Sequence, residues 1–138
     1  MSAAEALRKG AKGLYASEAA VELLIRSGSG VPEKATWITW RDDETAYIDA
    51  EALWNASGAW SGGEKRLVNI VVALLGFEKS DLSSDVSGLD YQTLKLVLAA
   101  ISHAAGGNDF SDLERDEAAG TARFVRLPNP YPWPESSK

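Results

Sequence analysis

The sequence predicts an α+β fold that is predominantly helical, with two long capped core helices and a small β-hairpin. Two apolar patterns of helical period, each preceded by a capping residue and followed by glycine, indicate the core helices. Two short β-branched and aromatic segments around a polar turn indicate the hairpin. With 138 residues, 45% of them apolar, the chain is long enough for one domain with a packed core.

The N-terminal part of the chain predicts two helices. Residues 3–9 are strong helix formers. A second helix is expected to begin at a cap, Ser17, and to end near Arg26. The serines, glycines and proline of residues 27–32 then predict a loop.

The predicted hairpin joins residues 36–40 to residues 45–49 through the polar turn 41–44. Both strands contain β-branched and aromatic residues, which favour extended backbone. Residues 50–55 follow as a short helix or turn, for which Asp49 is the candidate N-cap.

The two core helices have the clearest start signals. Ser61 and Glu64 have the spacing of a capping box, in which each side chain binds a free amide of the first turn. The helix that follows, residues 62–75, is apolar almost all the way round and should be buried on most sides. Asp90 caps the second core helix, residues 91–104. The predicted apolar face of this helix consists of Leu94, Val97, Leu98 and Ile101.

The C-terminal third is predicted to be less regular. A helical turn is expected around residues 111–116, and the alternating residues 121–127 are the candidate third strand of the hairpin sheet. Residues 128–134 contain four prolines and cannot form a helix or a central strand. We therefore expect a single globular domain over residues 1–127 and an extended, proline-rich tail over residues 128–138.

Composition excludes several classes of function. The 20 acidic residues against 14 basic ones give a net charge of −6, which disfavours direct binding to nucleic acids or to a membrane. Because there is no cysteine and one histidine, cysteine ligation and multi-histidine metal sites are excluded. The longest strongly apolar stretch, residues 70–75, is far shorter than a membrane span, and the N-terminus has no secretory signal. We therefore expect a cytoplasmic protein without a metal or a cofactor.

Three segments resemble the signature half of ABC-type ATPase domains: SGGEKR at 61–66, SGLD at 87–90, and His103. In that family the N-terminus of the signature helix holds the γ-phosphate of the nucleotide, as helix N-termini favour anions. The resemblance implies a candidate anion site made of Ser61, Gly62, Gly63 and Arg66. The chain contains no GxxxxGK[ST] phosphate loop, which an ATPase requires. For the same residues, a plain capped core helix is the structural alternative.

A second resemblance covers most of residues 13–107. The segments GLY at 13–15, EAAVELLI at 18–25, SGGEKR, GLD and HAAG look like small uncharacterised proteins of actinobacteria and of their mobile elements. That family implies no activity. It does imply that both capped helices belong to the core.

Five tryptophans are a high number for this length. Trp37 and Trp40 are three positions apart, so in a regular strand they face opposite sides and one should point outward. Trp133 and Tyr131 lie in the tail, which fits either a groove on another protein or its own domain. Since tryptophan and tyrosine are enriched at interfaces, these residues are the candidate partner-binding set: Trp37, Trp40, Tyr131 and Trp133.

Together these features predict a small non-catalytic interaction or regulatory protein, whose partner is another protein. A phage- or mobile-element-encoded inhibitor would have this profile. The alternative function is an anion- or nucleotide-binding domain, or an enzyme, that uses the helix N-terminus at Ser61. Homo-oligomerisation through exposed tryptophan and leucine side chains is a third alternative. No catalytic residue is identified.

Overall fold

A computed structural model describes residues 2–27 and 31–135. Within these ranges it confirms the predicted α+β class, with six helices (47% helical) and two separate antiparallel hairpins of two strands each. The helices are α1 (Ala3–Ala11), α2 (Tyr15–Arg26), α3 (Ala50–Ala56), α4 (Gly62–Leu74), α5 (Leu82–Asp85) and α6 (Tyr91–Ala104). The strands are β1 (Ile38–Trp40), β2 (Ala46–Ile48), β3 (Ser111–Asp116) and β4 (Thr121–Arg126). Residues 28–30 of the predicted loop and 136–138 of the predicted tail lie outside the described residues.

The core is built around α2, which packs against α1, α4 and α6. Ala19 and Ala20 of α2 are fully buried, and such small side chains allow neighbouring helices to approach closely. The two helices predicted as the core, α4 and α6, contribute Val71 and Val97 to it. The sequence therefore identified two of the core helices, but the central position belongs to α2. No helix of the described residues is long and apolar enough to cross a membrane.

The predicted caps of α3, α4 and α6 are confirmed. The amides of Ala52 and Thr93 donate to the carboxylates of Asp49 and Asp90, over 3.0 and 2.8 Å respectively. The amide of Glu64 donates to the hydroxyl of Ser61 over 3.3 Å. The bond from Thr93 also holds the pKa of the Asp90 carboxyl below its usual value, because it stabilises the ionised form.

The predicted cap of α2 is wrong. The helix begins at Tyr15, two residues before Ser17, and its N-cap is Leu14, which makes no side-chain capping bond. Next to this helix start, the carboxylate of Glu18 in the first turn accepts the amide hydrogen of Gly13, the residue before the N-cap, over 3.2 Å. Gly13 has φ of +99°, a conformation that lets α2 start directly after α1.

The predicted buried face of α6 is only partly correct. Val97 is buried, but Leu94 and Ile101 are exposed. The side of α6 that faces the core carries smaller residues, including Ala100 and Ala104, which are four positions apart. Because α6 packs closely against α2, small side chains face α2 at this contact. Helical periodicity alone would have placed the leucine and isoleucine side chains there.

The first hairpin, β1–β2, is confirmed and packs against α1. Ile38 pairs with Ile48, and Ala46 is fully buried. The fit is tight at Gly10 of α1, where an added Cβ atom would lie 2.0 Å from the carbonyl oxygen of Ala46. In the turn, the Asp42 carboxylate accepts two backbone amides over 2.8 Å, and these bonds hold its pKa below the usual value.

The predictions for residues 111–127 are corrected. Residues 111–116 form β3 instead of a helical turn, and β4 pairs with β3 instead of adding a third strand to the first hairpin. The turn between them, residues 117–120, ends at Gly120 with φ of +67°. Pairing neighbours in sequence closes a short loop, which costs less chain entropy than pairing with a strand some seventy residues away.

The linker between α4 and α6, residues 78–89, contains the one-turn helix α5. Asp85 at its end is buried, and its carboxylate accepts from the amide nitrogen of Asn69 over 2.8 Å and from the hydroxyl of Ser80 over 2.7 Å. A buried carboxylate needs such donors. The bond from Asn69 ties the linker to α4, and the bond from Ser80 lies within the linker.

Candidate functional site

The second hairpin, β3–β4, stands apart from the core, and we call it the arm (residues 111–126). Among the described elements, β3 and β4 pack extensively only on each other, and every arm residue except Val125 is exposed. Phe124 is 81% exposed and Leu113 is 42% exposed. Monomeric domains usually cover large apolar side chains instead of leaving them exposed to solvent.

The arm has two chemically different faces, because successive residues of a strand point to opposite sides. Leu113 lies directly opposite Phe124, and Glu114 lies directly opposite Arg123. We call the first side the apolar face; it consists of Ser111, Leu113, Arg115, Ala122, Phe124 and Arg126. The other side, the acidic face, consists of Asp112, Glu114, Asp116, Thr121, Arg123 and Val125. Within the described part of the chain, both outer edges of the arm are unpaired.

Polar contacts fix the base of the arm to the body of the domain. The hydroxyl of Tyr15, at the start of α2, donates a short hydrogen bond to the carboxylate of Asp109. This bond raises the pKa of the Tyr15 hydroxyl, because Asp109 stabilises the protonated form. Arg126 lies 3.6 Å from the same carboxylate, and the amide of Leu127 donates to the carbonyl of Phe110 over 2.9 Å. The arm is therefore anchored at one end and free at the other.

After the arm the chain turns back across the body, and we call residues 128–135 the strap. The strap contains no helix or strand. Its first anchor is Asn129, whose side-chain oxygen accepts from the hydroxyl of Ser102 and from the amide of Tyr131. The side-chain nitrogen of Asn129 donates to Asn108 over 2.9 Å. One asparagine thus joins the end of α6, the base of the arm and the strap.

The second anchor of the strap is Trp133, which packs against the core. The guanidinium of Arg26 lies 5.0 Å from the centre of its ring, and Arg26 also donates to the carbonyl of Pro134 over 3.0 Å. The imidazole of His103 lies on the α6 side, with its ring centre 6.2 Å from that of Trp133. Of the two arrangements left open by the sequence, the strap adopts the one in which it lies across its own domain.

His103 lies beside a carboxylate that comes from a distant part of the sequence. Its Nε2 atom is 2.9 Å from Oε1 of Glu18 in α2, and Tyr15 meets the imidazole edge-on. A cavity of about 200 Å³ opens next to this pair. The cavity is lined by Arg8, Ala11, Glu18, Val21, Glu22 and His103.

The charged residues of this cavity neutralise one another. Glu22 accepts from Nε of Arg8 over 2.5 Å and from Nε of Arg26 over 2.8 Å. Partial burial raises the pKa of the Glu22 carboxyl, but the bonds from both arginines outweigh burial, so that its pKa is lowered overall. The cavity therefore lies next to a closed ion-pair network, and the described residues hold no group of three metal-ligating side chains.

The four candidate partner-binding residues lie in different environments. Trp37 is 4% exposed and belongs to the core, whereas Trp40 is 40% exposed. One of the two therefore points outward, as the spacing predicts. Tyr131 is 54% exposed on the strap, and Trp133 is docked.

The candidate anion site has a cavity, but its charges are unfavourable for an anion. The cavity has a volume of about 310 Å³ between the N-termini of α4 and α6. Ser61 and Gly63 line it, and so do the carboxylates of Glu64 and Asp90. The hydroxyl of Ser61 lies 2.8 Å from Oε1 of Glu64 and also accepts the amide of that residue.

The two remaining members of the candidate anion site, Gly62 and Arg66, are not among the residues that line the cavity. Gly62 begins α4 and is exposed. Arg66 lies one turn further along and is not a lining residue itself, although its guanidinium lies next to Gly88, which lines the cavity. The cap and the two carboxylates therefore favour the structural alternative for the SGGE segment.

Sequence reasoning missed both the arm and the Glu18–His103 pair. The arm residues Ser111–Asp116 alternate in polarity only weakly, since five of the six are polar, and a strand exposed on both faces has no clear period-two signal. Glu18 and His103 are separated by 85 positions, so that no local spacing could connect them. The extended stretch from Thr121 onward was the detectable part of the arm.

No family model, curated protein or solved structure matches the chain. The two resemblances noted in the sequence are therefore not supported by any match.

Proposed function

We propose that this chain is a small non-catalytic interaction protein that binds another protein through the apolar face of the arm. The observation that carries the proposal is the directly opposed pair Leu113 and Phe124 on a hairpin that no other described element covers. An isolated two-stranded hairpin is marginally stable in water. A partner that covers this pair would stabilise the arm and bury its apolar area at the same time.

The arm also indicates the chemistry of the partner surface. Arg115 and Arg126 flank the apolar pair on the same face, and both strands have free edges. The complementary surface is therefore an apolar recess bordered by carboxylates, and an exposed strand next to it would add backbone hydrogen bonds. The acidic face of the arm and the net charge of −6 count against a nucleic acid as the partner.

The experiment is affinity capture from the native host with the full chain as bait, followed by mass spectrometry. Three baits are compared: the wild-type chain, the apolar-face variant Leu113→Ser/Phe124→Ser, and the control Glu114→Ser/Arg123→Ser. The control changes the neighbouring cross-strand pair on the acidic face and leaves the net charge unchanged. Circular dichroism checks that each bait retains its helices.

We expect one protein to be captured by the wild type and by the control, and to be reduced at least about tenfold with the apolar-face variant. Equal capture by all three baits would contradict the proposal. Light scattering on the purified chain tests the homo-oligomer alternative. A dimer that the apolar-face variant converts to a monomer would make a second copy, instead of a different protein, the occupant of the arm.

A further inference from the structure

Two buried polar atoms without a hydrogen-bond partner lie on neighbouring rings where the strap contacts α6. Nδ1 of His103 and Nε1 of Trp133 are both buried, and neither has a hydrogen-bond partner among the described residues. The two rings are tilted by 47° with their centres 6.2 Å apart. Ring centres at that separation leave room for one bridging water between the ring edges.

The two atoms are chemically complementary. An indole nitrogen can only donate. In neutral His103, the carboxylate of Glu18 at 2.9 Å requires a hydrogen on Nε2, so that Nδ1 carries none and can only accept. An unmatched donor and an unmatched acceptor, each costly to bury alone, therefore belong to two neighbouring rings.

We propose that one bridging water joins the indole N–H of Trp133 to Nδ1 of His103, and that this hydrogen-bonded unit is a latch for the strap that opens when His103 is protonated. Protonation places a hydrogen on Nδ1, so that two donors face each other in a buried position without an acceptor. Docking of the strap and protonation of His103 therefore oppose each other, and the strap loosens when the imidazole takes up a proton.

Other charges around the latch act in both directions. Glu18 attracts the protonated imidazole, whereas Arg26, which stacks on Trp133, repels it. The titratable and charged groups around His103 and Trp133 are Tyr15, Glu18, Glu22 and Arg26 of α2, Arg8 of α1, and Asp109 at the base of the arm. None of them provides an acceptor to Nδ1. The latch concerns the chain alone and does not depend on the proposed partner of the arm.

The first test measures hydrogen exchange of the Trp133 indole N–H by NMR in the full chain, from about pH 8 to about pH 5. Its resonance is identified by its absence in Trp133→Phe. Corrected for the intrinsic pH dependence of exchange, protection should fall about fivefold to tenfold across this range in the wild type. In His103→Phe, which keeps a ring but has no acceptor, protection should be low at every pH. Equal protection in the two proteins at pH 8 would overturn the proposal.

The second test remains valid if His103→Phe does not fold. The chain has one histidine, so the titration of a single imidazole can be followed in the wild type and in Trp133→Phe. Without the latch, the imidazole should be protonated at a higher pH than in the wild type. In Glu18→Gln the imidazole loses its carboxylate and should be protonated at a lower pH, while the latch stays closed at pH 8. Identical titration curves for the wild type and Trp133→Phe would also overturn the proposal.

Discussion

The two hairpins of this protein have the same antiparallel pairing but opposite surroundings. The first, β1–β2, has three residues in each strand, and α1 packs against it so closely that Gly10 has no room for a side chain. The arm, β3–β4, has six residues in each strand and is covered by no other element among those described. The short hairpin is stabilised by tertiary packing, whereas the long one depends on cross-strand pairs and on contacts at its base.

The two hairpins therefore have different roles: the first stabilises the domain, and the arm is the proposed binding element. The first hairpin places apolar side chains such as Ile38 in the core, where they stabilise the domain. The arm places Leu113 and Phe124 in solvent, where they contribute little to the stability of the isolated chain. Substitutions in the two hairpins should therefore have different consequences.

The largest contrast is expected between Ile38→Ala and Phe124→Ala. Ile38→Ala removes buried apolar groups and should lower the free energy of unfolding by about 2–5 kcal/mol. Phe124→Ala removes an exposed side chain and a cross-strand contact, and should cost less than about 1 kcal/mol. Denaturant unfolding followed by tryptophan fluorescence measures both. Similar losses for the two variants would mean that the arm is packed in solution.

Gly10→Ala tests the tight contact between α1 and the first hairpin. The new Cβ atom would meet the carbonyl oxygen of Ala46, and we expect a loss of about 1–3 kcal/mol in the free energy of unfolding. Gly63→Ala is the matched control, because it also adds a methyl group to a helical glycine but has open space around it. The control should be neutral, or more stable by up to about 1 kcal/mol. A stabilised Gly10→Ala variant would contradict the described packing.

Asn129→Ala tests the anchor of the strap at the base of the arm. It removes the acceptor of the buried Ser102 hydroxyl and should cost about 1–2 kcal/mol, read as a lower thermal midpoint. Asn108→Ala removes only the exposed bond to Asn129, and should cost less than about 0.5 kcal/mol. If the two variants have the same thermal midpoint, Asn129 does not act as an anchor.

The smallest effect concerns Glu22, whose pKa is lowered below its usual value of 4.5 by the two arginines. Its ion pairs contribute stability that is present above pH 4.5 and is lost as the pH falls through the lower pKa of the folded state. Glu22→Gln should therefore be less stable than the wild type near pH 7, and the difference should disappear in acid. Thermal melts between about pH 7 and pH 3 measure this difference, and Glu51→Gln on the exposed side of α3 is the control. A constant difference at all pH values would refute the ion-pair explanation.

The features that the sequence predicted correctly are those that depend on residues close together in the chain. Asp49, Ser61 and Asp90 were recognised as caps because a cap depends on a side chain and an amide only three positions away. The exposed position of Leu94 could not be predicted in this way, since it depends on which side of α6 packs against α2. The residues of the candidate site also differ in whether the sequence alone could identify them. Trp40 and Trp133 were identified as candidates from their residue type alone. Leu113 and Phe124 could be identified only from their cross-strand register and their exposure in the structure.

The free edges of the arm have a consequence for assembly. A ribbon with two strands and two open edges is a template on both sides, so that one copy can be extended in both directions by strands of other chains. Contacts of this kind do not close on themselves, and they produce filaments instead of defined oligomers. On the acidic face, Asp112, Glu114 and Asp116 alternate along β3, and in a stacked or extended ribbon these like charges would accumulate. Neutralising them should make the chain more prone to form fibres at high concentration.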